Sequence, residues 1–301
     1  MVTLDLLITR AASKKGPVVA VASAADRAVL EAVSGAIAKG IASFLLYDDE
    51  NRLKMLIKTE FPHLLEDENI SIHHADDGVQ AANLSVKAVS SGWAHVVMKG
   101  NVATSIILKA VLNGEYGLRT GKVLSHVAAF EVPGYDRLLF VTDAAMNIAP
   151  DLEAKAQIIR NAVATAHACG VKEPIVAPLA AIETINPIMT PTTDAASLVV
   201  MNRRGQITGC IVDGPLALDN AVSEQAAIQK GITSDTAGKA DILVVPNIEA
   251  GNILYKSLMY FANAKVGAVI QGAKAPIVLT SRADSAESKL YSLALAILSV
   301  K

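Results

Sequence analysis

Val18-Val-Ala-Val-Ala22 is five apolar residues in a row, with no polar residue alternating among them. A strand with one wet face alternates, whereas an unbroken β-branched run has to be covered on both faces, as in a parallel sheet flanked by helices. Similar runs recur at Ser43-Phe-Leu-Leu-Tyr47, Ser71-Ile-His73 and Ala94-His-Val-Val-Met98. Between them lie helix-period segments such as Asp26 to Lys39 and Val79 to Ser90. This βαβ rhythm predicts an α/β fold with a mainly parallel sheet. Aromatic residues make up only 4% of the chain against 52% hydrophobic, so its core is expected to be built from Ala, Val, Ile and Leu.

The rhythm breaks once. Strand-like runs at 122–132 and 137–142 are separated by Pro133-Gly-Tyr-Asp136, a turn sequence that predicts a hairpin. Alternation resumes with a helix from Asp151 to Cys169, and then with strands at Ile175–Ala177, Ile207–Val212, Ile242–Val245, Val266–Ile270 and Ile277–Leu279. A chain of 301 residues exceeds the commonest single-domain size, so two domains are expected. The expected division gives residues 1–131 with 276–301 to a first α/β domain and 132–275 to a second.

Several function classes lose support. A net charge of −2 offers no basic footprint for nucleic acid. The mean hydropathy is positive, +0.39, yet no apolar run approaches the roughly 20 residues that a bilayer requires, so no membrane partner is expected. The start Met-Val-Thr-Leu-Asp-Leu-Leu does not resemble a signal peptide, and a cytoplasmic location is expected. Cys169 and Cys210 form no Cys-x-x-Cys pair and His73-His74 has no companion ligands, so no metal is expected. Gly117-Leu-Arg-Thr-Gly-Lys122 is one residue short of a P-loop and is followed by Val123, where Ser or Thr would bind magnesium. Dinucleotide, zinc-protease and serine-hydrolase signatures are missing.

Polar chemistry collects just after the strands, where open α/β sheets bind ligands. The stretches are Met98-Lys-Gly-Asn101, Thr142-Asp-Ala-Ala-Met-Asn147, Asp213-Gly-Pro215, Val245-Pro-Asn-Ile-Glu-Ala-Gly-Asn252 and Thr280-Ser-Arg-Ala-Asp284. Taken singly, each Asn, Asp or Ser is an ordinary helix cap and each Gly an ordinary turn residue. The last stretch opens a helix, with Asp284 or Ser285 the expected cap and Glu287 at capping-box spacing from Asp284. Free N–H groups at that helix start, together with the Arg282 guanidinium, also suit a phosphate. His126 reads as a core histidine or a proton acceptor.

The ordered series Met98-Lys-Gly-Asn101, Gly117 to Lys122, Leu124-Ser-His-Val127, Arg137 to Asp143, Val212 to Asp219, Ala240-Asp241, Pro246-Asn247, Gly251-Asn252, Tyr255-Lys256 and Thr280 to Ser285 resembles the phosphate acyltransferases, most closely their butyryl branch. The resemblance spans nearly the whole chain. It implies reversible transfer of a short acyl group between coenzyme A and inorganic phosphate, in a cleft between two α/β domains with an isocitrate/isopropylmalate dehydrogenase-like fold. It also implies a homodimer or higher homo-oligomer, and no cofactor, coenzyme A being a substrate. Ser281 and Arg282 map onto the Ser-Arg pair that acts on the acyl phosphate in related phosphotransacetylases. Provisional substrate-binding residues are Lys99, Asn101 and Thr104, with Arg119 as a second phosphate ligand, and Asp213, Asn247, Asn252 and Lys256.

Two departures stand out. Phosphotransacetylases place an Asp seven residues after the Ser, and here that residue is Ser288. An Arg common shortly after Tyr-Lys is replaced at or near Met259. Glu287, Asp284 or His126 is then left as a substitute base, unless none is needed. The alternatives are a phosphate acetyltransferase, an NAD(P)-dependent decarboxylating dehydrogenase, which needs clustered carboxylates around a divalent metal, and a non-catalytic binder of small anions.

Overall fold

The computed structural model describes residues 2–14, 16–280 and 284–300. The chain forms two compact units, one built from Leu4–Lys122 with Gly267–Lys301 and the other from Val123–Val266, with which Val2 and Thr3 group. The first is called here the terminal unit and the second the central unit.

The terminal unit begins with α1 (Leu4–Ala12), β1 (Val18–Ala22), α2 (Arg27–Ala38), β2 (Ser43–Asp48), α3 (Glu50–Glu60), β3 (Ile70–His74), α4 (Gly78–Ser90), β4 (Val96–Lys99) and α5 (Thr104–Val111). The strands lie in the order β3-β2-β1-β4 and every pairing is parallel. Burial explains their composition. Val19 to Ala22 and Val96 to Lys99 are buried without a break, as double coverage requires, whereas β3 at the edge has no fully buried residue. His73 stacks on Tyr47 with ring centroids 5.0 Å apart, and His74 pairs with Asp76 at 3.1 Å. The carboxylates of Asp26, Asp49 and Asp77 cap α2, α3 and α4 by accepting from Val29, Arg52 and Gln80 N–H groups.

The central unit opens with β5 (Ser125–Glu131) and β6 (Leu138–Thr142), the antiparallel hairpin that the turn at Pro133–Asp136 predicts. It continues through α6 (Leu152–Ala168), β7 (Ile175–Pro178), α7 (Thr190–Arg203), β8 (Ile211–Val212), α8 (Leu218–Val222), α9 (Glu224–Gln229), β9 (Ile242–Val244) and α10 (Ile248–Tyr260). The strand order is β5-β6-β9-β7-β8, parallel from β6 onward. One expected strand is much shorter than the pattern suggests. Of Ile207–Val212 only Ile211 and Val212 pair, because Gly209 turns the chain with a left-handed φ of 76° and its carbonyl pairs with His167 Nε2 at 2.7 Å.

The chain re-enters the terminal unit through β10 (Lys265–Gln271), β11 (Ile277–Val278) and α11 (Ala286–Leu298). β11 pairs parallel with β4 and antiparallel with β10. α11 is buried from Ser288 to Leu298 and packs on α1 and α2. Its cap is Ser285, whose hydroxyl accepts from Ser288 N–H at 3.1 Å, and not Asp284. Ser285 is the residue with extended backbone, the conformation a cap must adopt, and Glu287 instead accepts from the Tyr291 hydroxyl at 2.8 Å. Lys14 closes the other end of α11 by donating to the carbonyls of Ile297, Leu298 and Val300. No helix among the described residues is long and apolar enough to cross a membrane.

β10 touches α11 through Gly267, where an added Cβ would lie 2.8 Å from the Tyr291 backbone carbon. Gly267→Ala is therefore expected to destabilise the protein by about 2 kcal/mol through overpacking, read as a lower urea midpoint at constant m. An unchanged midpoint would show that the strand and helix have slack at this crossing.

Candidate functional site

β1, β4 and β11 run parallel, so their carboxyl ends come out along one edge of the terminal unit. Gly100 brings two of these ends together. Its N–H donates to Ala22 O at 2.8 Å and the next N–H, from Asn101, donates to Ser23 O at 2.8 Å. A Cβ on Gly100 would sit 2.1 Å from Ser23 O, so no other residue fits. The residues on either side of this glycine, Lys99 and Asn101, share a small pocket with Asp26, Val29, Thr280 and Lys289.

Three polar residues of this pocket are buried, while Asn101 is exposed and Asp26 half-buried. Lys99 is 5% exposed, and its ammonium donates to the carbonyls of Gly100 and Val102 at 3.2 Å each. Lys289, 3% exposed, donates to Asp284 O. Burial pushes the Lys289 pKa down, while the carboxylates of Asp284, Asp26 and Glu31 oppose that shift. Thr280 is 6% exposed, and its hydroxyl has no hydrogen-bond partner among the described residues. The Asp26 carboxylate lines the pocket while capping α2 at 3.1 Å.

Ser281 and Arg282 lie outside the described residues, directly after Thr280. Of the other expected residues in this unit, Lys99 and Asn101 meet in the pocket, while Thr104 opens α5 on the exposed surface and Arg119 is exposed in a loop. That loop is held by Lys274 N–H on Leu118 O and by Thr120 Oγ1 on Gly272 O, and no helix follows it. Gly117–Lys122 therefore lacks the helix start of a phosphate-cradling P-loop.

In the central unit the strand-end residues mostly organise backbone. Asp143, 3% exposed, accepts from the N–H groups of Ala145 and Met146 at 2.9 Å, and from the N–H and Nδ2 of Asn147 at 3.2 and 2.6 Å. Asn147 Nδ2 also donates to Leu124 O at 2.8 Å. Asp213 accepts from the hydroxyls of Ser234 and Thr236, so it clamps that loop. Asn247 caps α10 by accepting from Ala250 N–H at 2.9 Å. Asn252 and Lys256 are exposed one turn apart on α10, and Tyr255 between them packs edge-on against the buried His126 at 5.8 Å and Phe130 at 5.2 Å. Among the described residues no group of three or more His, Cys, Asp or Glu is placed to hold a metal ion.

Lys289, the Thr280 hydroxyl and Asp26 are pocket residues that sequence patterning does not single out as site residues. In the sequence Lys289 closes the polar run from Asp284, directly before the apolar stretch that starts at Leu290, so its burial carries no local signal.

The chain matches the sequence profile of the family described as "Phosphate acetyl/butaryl transferase" over residues 51–297. It is 58% identical to a probable phosphate butyryltransferase of Bacillus subtilis (strain 168), covering 97% of this chain and 96% of that one. A phosphate butyryltransferase of Clostridium beijerinckii is 49% identical over 98% of this chain and 96% of its own. Among solved structures, a branched-chain phosphotransacylase from Enterococcus faecalis V583 superposes with a TM-score of 0.83 at 37% identity, covering 94% of this chain and 99% of that one.

The four bonds to Asp143 include three from backbone N–H groups, which are left unsatisfied if the carboxylate is removed. Asp143→Ala is expected to cost about 3 kcal/mol of stability, with Asp143→Asn recovering part of it, both measured by urea unfolding. Equal stability of Asp143→Ala and the parent would show that this loop finds other partners.

Proposed function

We infer that this chain, which belongs to the phosphate acetyl/butyryl transferase family, reversibly transfers a butyryl or similar short or branched acyl group between coenzyme A and inorganic phosphate, butanoyl-CoA plus phosphate giving CoA plus butanoyl phosphate. The observation that carries this reading is 58% identity to a probable phosphate butyryltransferase along 97% of the chain. The enzyme is an acyltransferase.

The reaction balances without an external proton donor. An oxygen of hydrogen phosphate attacks the thioester carbonyl carbon, the carbonyl electrons move onto oxygen, and collapse of the tetrahedral species breaks the carbon–sulfur bond. The proton of hydrogen phosphate ends on the CoA thiol. The barrier then lies in bringing two anionic substrates together and in the negative charge that grows on the carbonyl oxygen. In this reading Arg282 holds phosphate bidentately and Ser281 hydrogen-bonds the developing oxyanion, with no acyl-enzyme formed. Lys99, buried beside Thr280, supplies positive charge, and Asn101 lies in the same pocket. Thr104 and Arg119 serve as outer phosphate ligands, and Asp213, Asn247, Asn252 and Lys256 as the remaining substrate-binding set.

In the reverse direction the thiol must lose a proton. Ser288, buried and paired with Ser285 Oγ at 3.2 Å, has no acid–base group to accept it. The proton passes to butyryl phosphate as its bond to the acyl group breaks, so the Ser at this position is compatible with turnover. The same reading includes an isocitrate/isopropylmalate dehydrogenase-like fold, a cytoplasmic homodimer or higher homo-oligomer, and no resident cofactor. Each methylene of the acyl chain contributes only about 1 kcal/mol, roughly a factor of five, so butyryl, isobutyryl and isovaleryl donors are all accepted.

Thiol release from butyryl-CoA, followed with a chromogenic reagent, is expected to require phosphate and to be faster with butyryl- or isobutyryl-CoA than with acetyl-CoA. No phosphate-dependent release would sink the transferase reading, and a preference for acetyl-CoA would favour phosphate acetyltransferase. Arg282→Ala is expected to lower kcat/KM by on the order of 100-fold with the fold intact. The protein's own thiols should add little background at pH 8, since Cys169 is buried and burial pushes Cys210 up to about 11; both should react on unfolding.

A further inference from the structure

A lysine in the interior of a helix that is buried all round needs a reason. Lys289 sits in the second turn of α11, within the buried run from Ser288 to Leu298, and points into the pocket it shares with Lys99 and Thr280. Leaving an ammonium out of water is costly unless something replaces the lost hydration, so buried lysines are rare without partners. Here there are two of them at one pocket. Their protein partners include the carbonyls of Gly100, Val102 and Asp284, with the Asp26, Glu31 and Asp284 carboxylates nearby.

The third polar group decides the ligand's class. The Thr280 hydroxyl is buried, lines the pocket and has no partner among the described residues, which leaves one donor there for a ligand. Two ammoniums and the one carboxylate of Asp26 line the pocket itself, and a hydroxyl beside the ammoniums donates readily to an oxyanion. Carbonyls hold both ammoniums, so the two charges are fixed in place before a ligand arrives.

We propose that Lys289 is a phosphate-binding residue: its ammonium, with that of Lys99 and the Thr280 hydroxyl, forms the site for the non-reacting oxygens of inorganic phosphate and of the phosphoryl group in the acyl phosphate. The proposal rests on the transferase reading for the identity of the anion. It assigns the selectivity for phosphate to a residue of α11 beyond the Ser281–Arg282 pair.

The test uses the full-length protein and inorganic phosphate. Lys289→Met keeps the length and apolar stem of the side chain and removes its charge. It is expected to raise the KM for phosphate at least tenfold while leaving the KM for butyryl-CoA within twofold, and Lys289→Arg should recover part of the loss. Thr280→Val, which keeps the shape and removes the donor, should raise the phosphate KM several-fold and decides the matter if Lys289→Met does not fold. In parallel, phosphate should raise the melting temperature of the parent protein in a concentration-dependent way, and that of Lys289→Met much less. An unchanged phosphate KM in both variants, or equal rises in the KM for both substrates, would overturn the proposal. Failure of the transferase reading looks different: the parent protein would then release no thiol, while the phosphate-dependent melting shift would still report whether Lys289 binds the anion.

Discussion

The contact between the backbones of Gly100 and Ser23 is the constraint on which the terminal unit's site depends. Two strand ends meet there with no room for a methyl group, and two N–H groups of the 100–101 turn are used up by the carbonyls of Ala22 and Ser23. Because the turn has no room to relax, Lys99 and Asn101 are held on either side of the glycine, where both line the pocket. A glycine at this point gives up backbone entropy to gain position, which is the usual exchange where a chain has to come close to a ligand. β11 then brings Thr280 to the same edge through its register with β4, Val278 lying beside Met98.

Buried charge is the second theme, and the chain satisfies it in two ways. In the central unit it is neutralised locally: Asp143 is wrapped by N–H groups, and Lys155 meets Asp194 at 2.6 Å. Such arrangements fix geometry more than they add stability, since desolvation offsets much of the attraction. In the terminal unit, by contrast, Lys99 and Lys289 are held by carbonyl oxygens and a donor is left over at Thr280. A closed network suits a scaffold, and an incomplete one suits a site that an anion completes.

What could be read from the amino acids alone follows from which forces act locally. β1 is legible to the residue because an unbroken apolar run rich in valine has a single good solution, and the β5–β6 hairpin is legible because Pro133-Gly134 and Asp136 are turn chemistry. The region 207–212 is not, since its β-branched residues favour a strand while Gly209 and the Asn202 side chain, donating to Ile207 and Cys210 carbonyls, hold a turn. α7 is equally hard to see. Its buried residues include Thr192, whose hydroxyl donates to the carbonyls of Asn186 and Met189, so no apolar stripe marks the helix. At the site, Lys99 and Asn101 are legible as strand-end residues, whereas the hydroxyl of Thr280 and the ammonium of Lys289 gain their meaning only from tertiary burial. Strand-end asparagine and aspartate are ambiguous in any sequence, and here Asn247 and Asp213 are engaged in capping and clamping.

The interruption of the terminal unit by the central one has a consequence for how the protein is made. β11 inserts beside β4, and Tyr291 bonds Asp5, although 286 positions separate those two residues in the chain. On a ribosome the residues of the central unit emerge as a continuous block, so that unit has all its strands available early. β1 to β4 must meanwhile wait with β4 unpaired on one side, an open edge exposed until almost the last residue has been synthesised. The helix that carries Lys289 is also the one that closes the core, so a chain cut short before it lacks its anion pocket and its fold together.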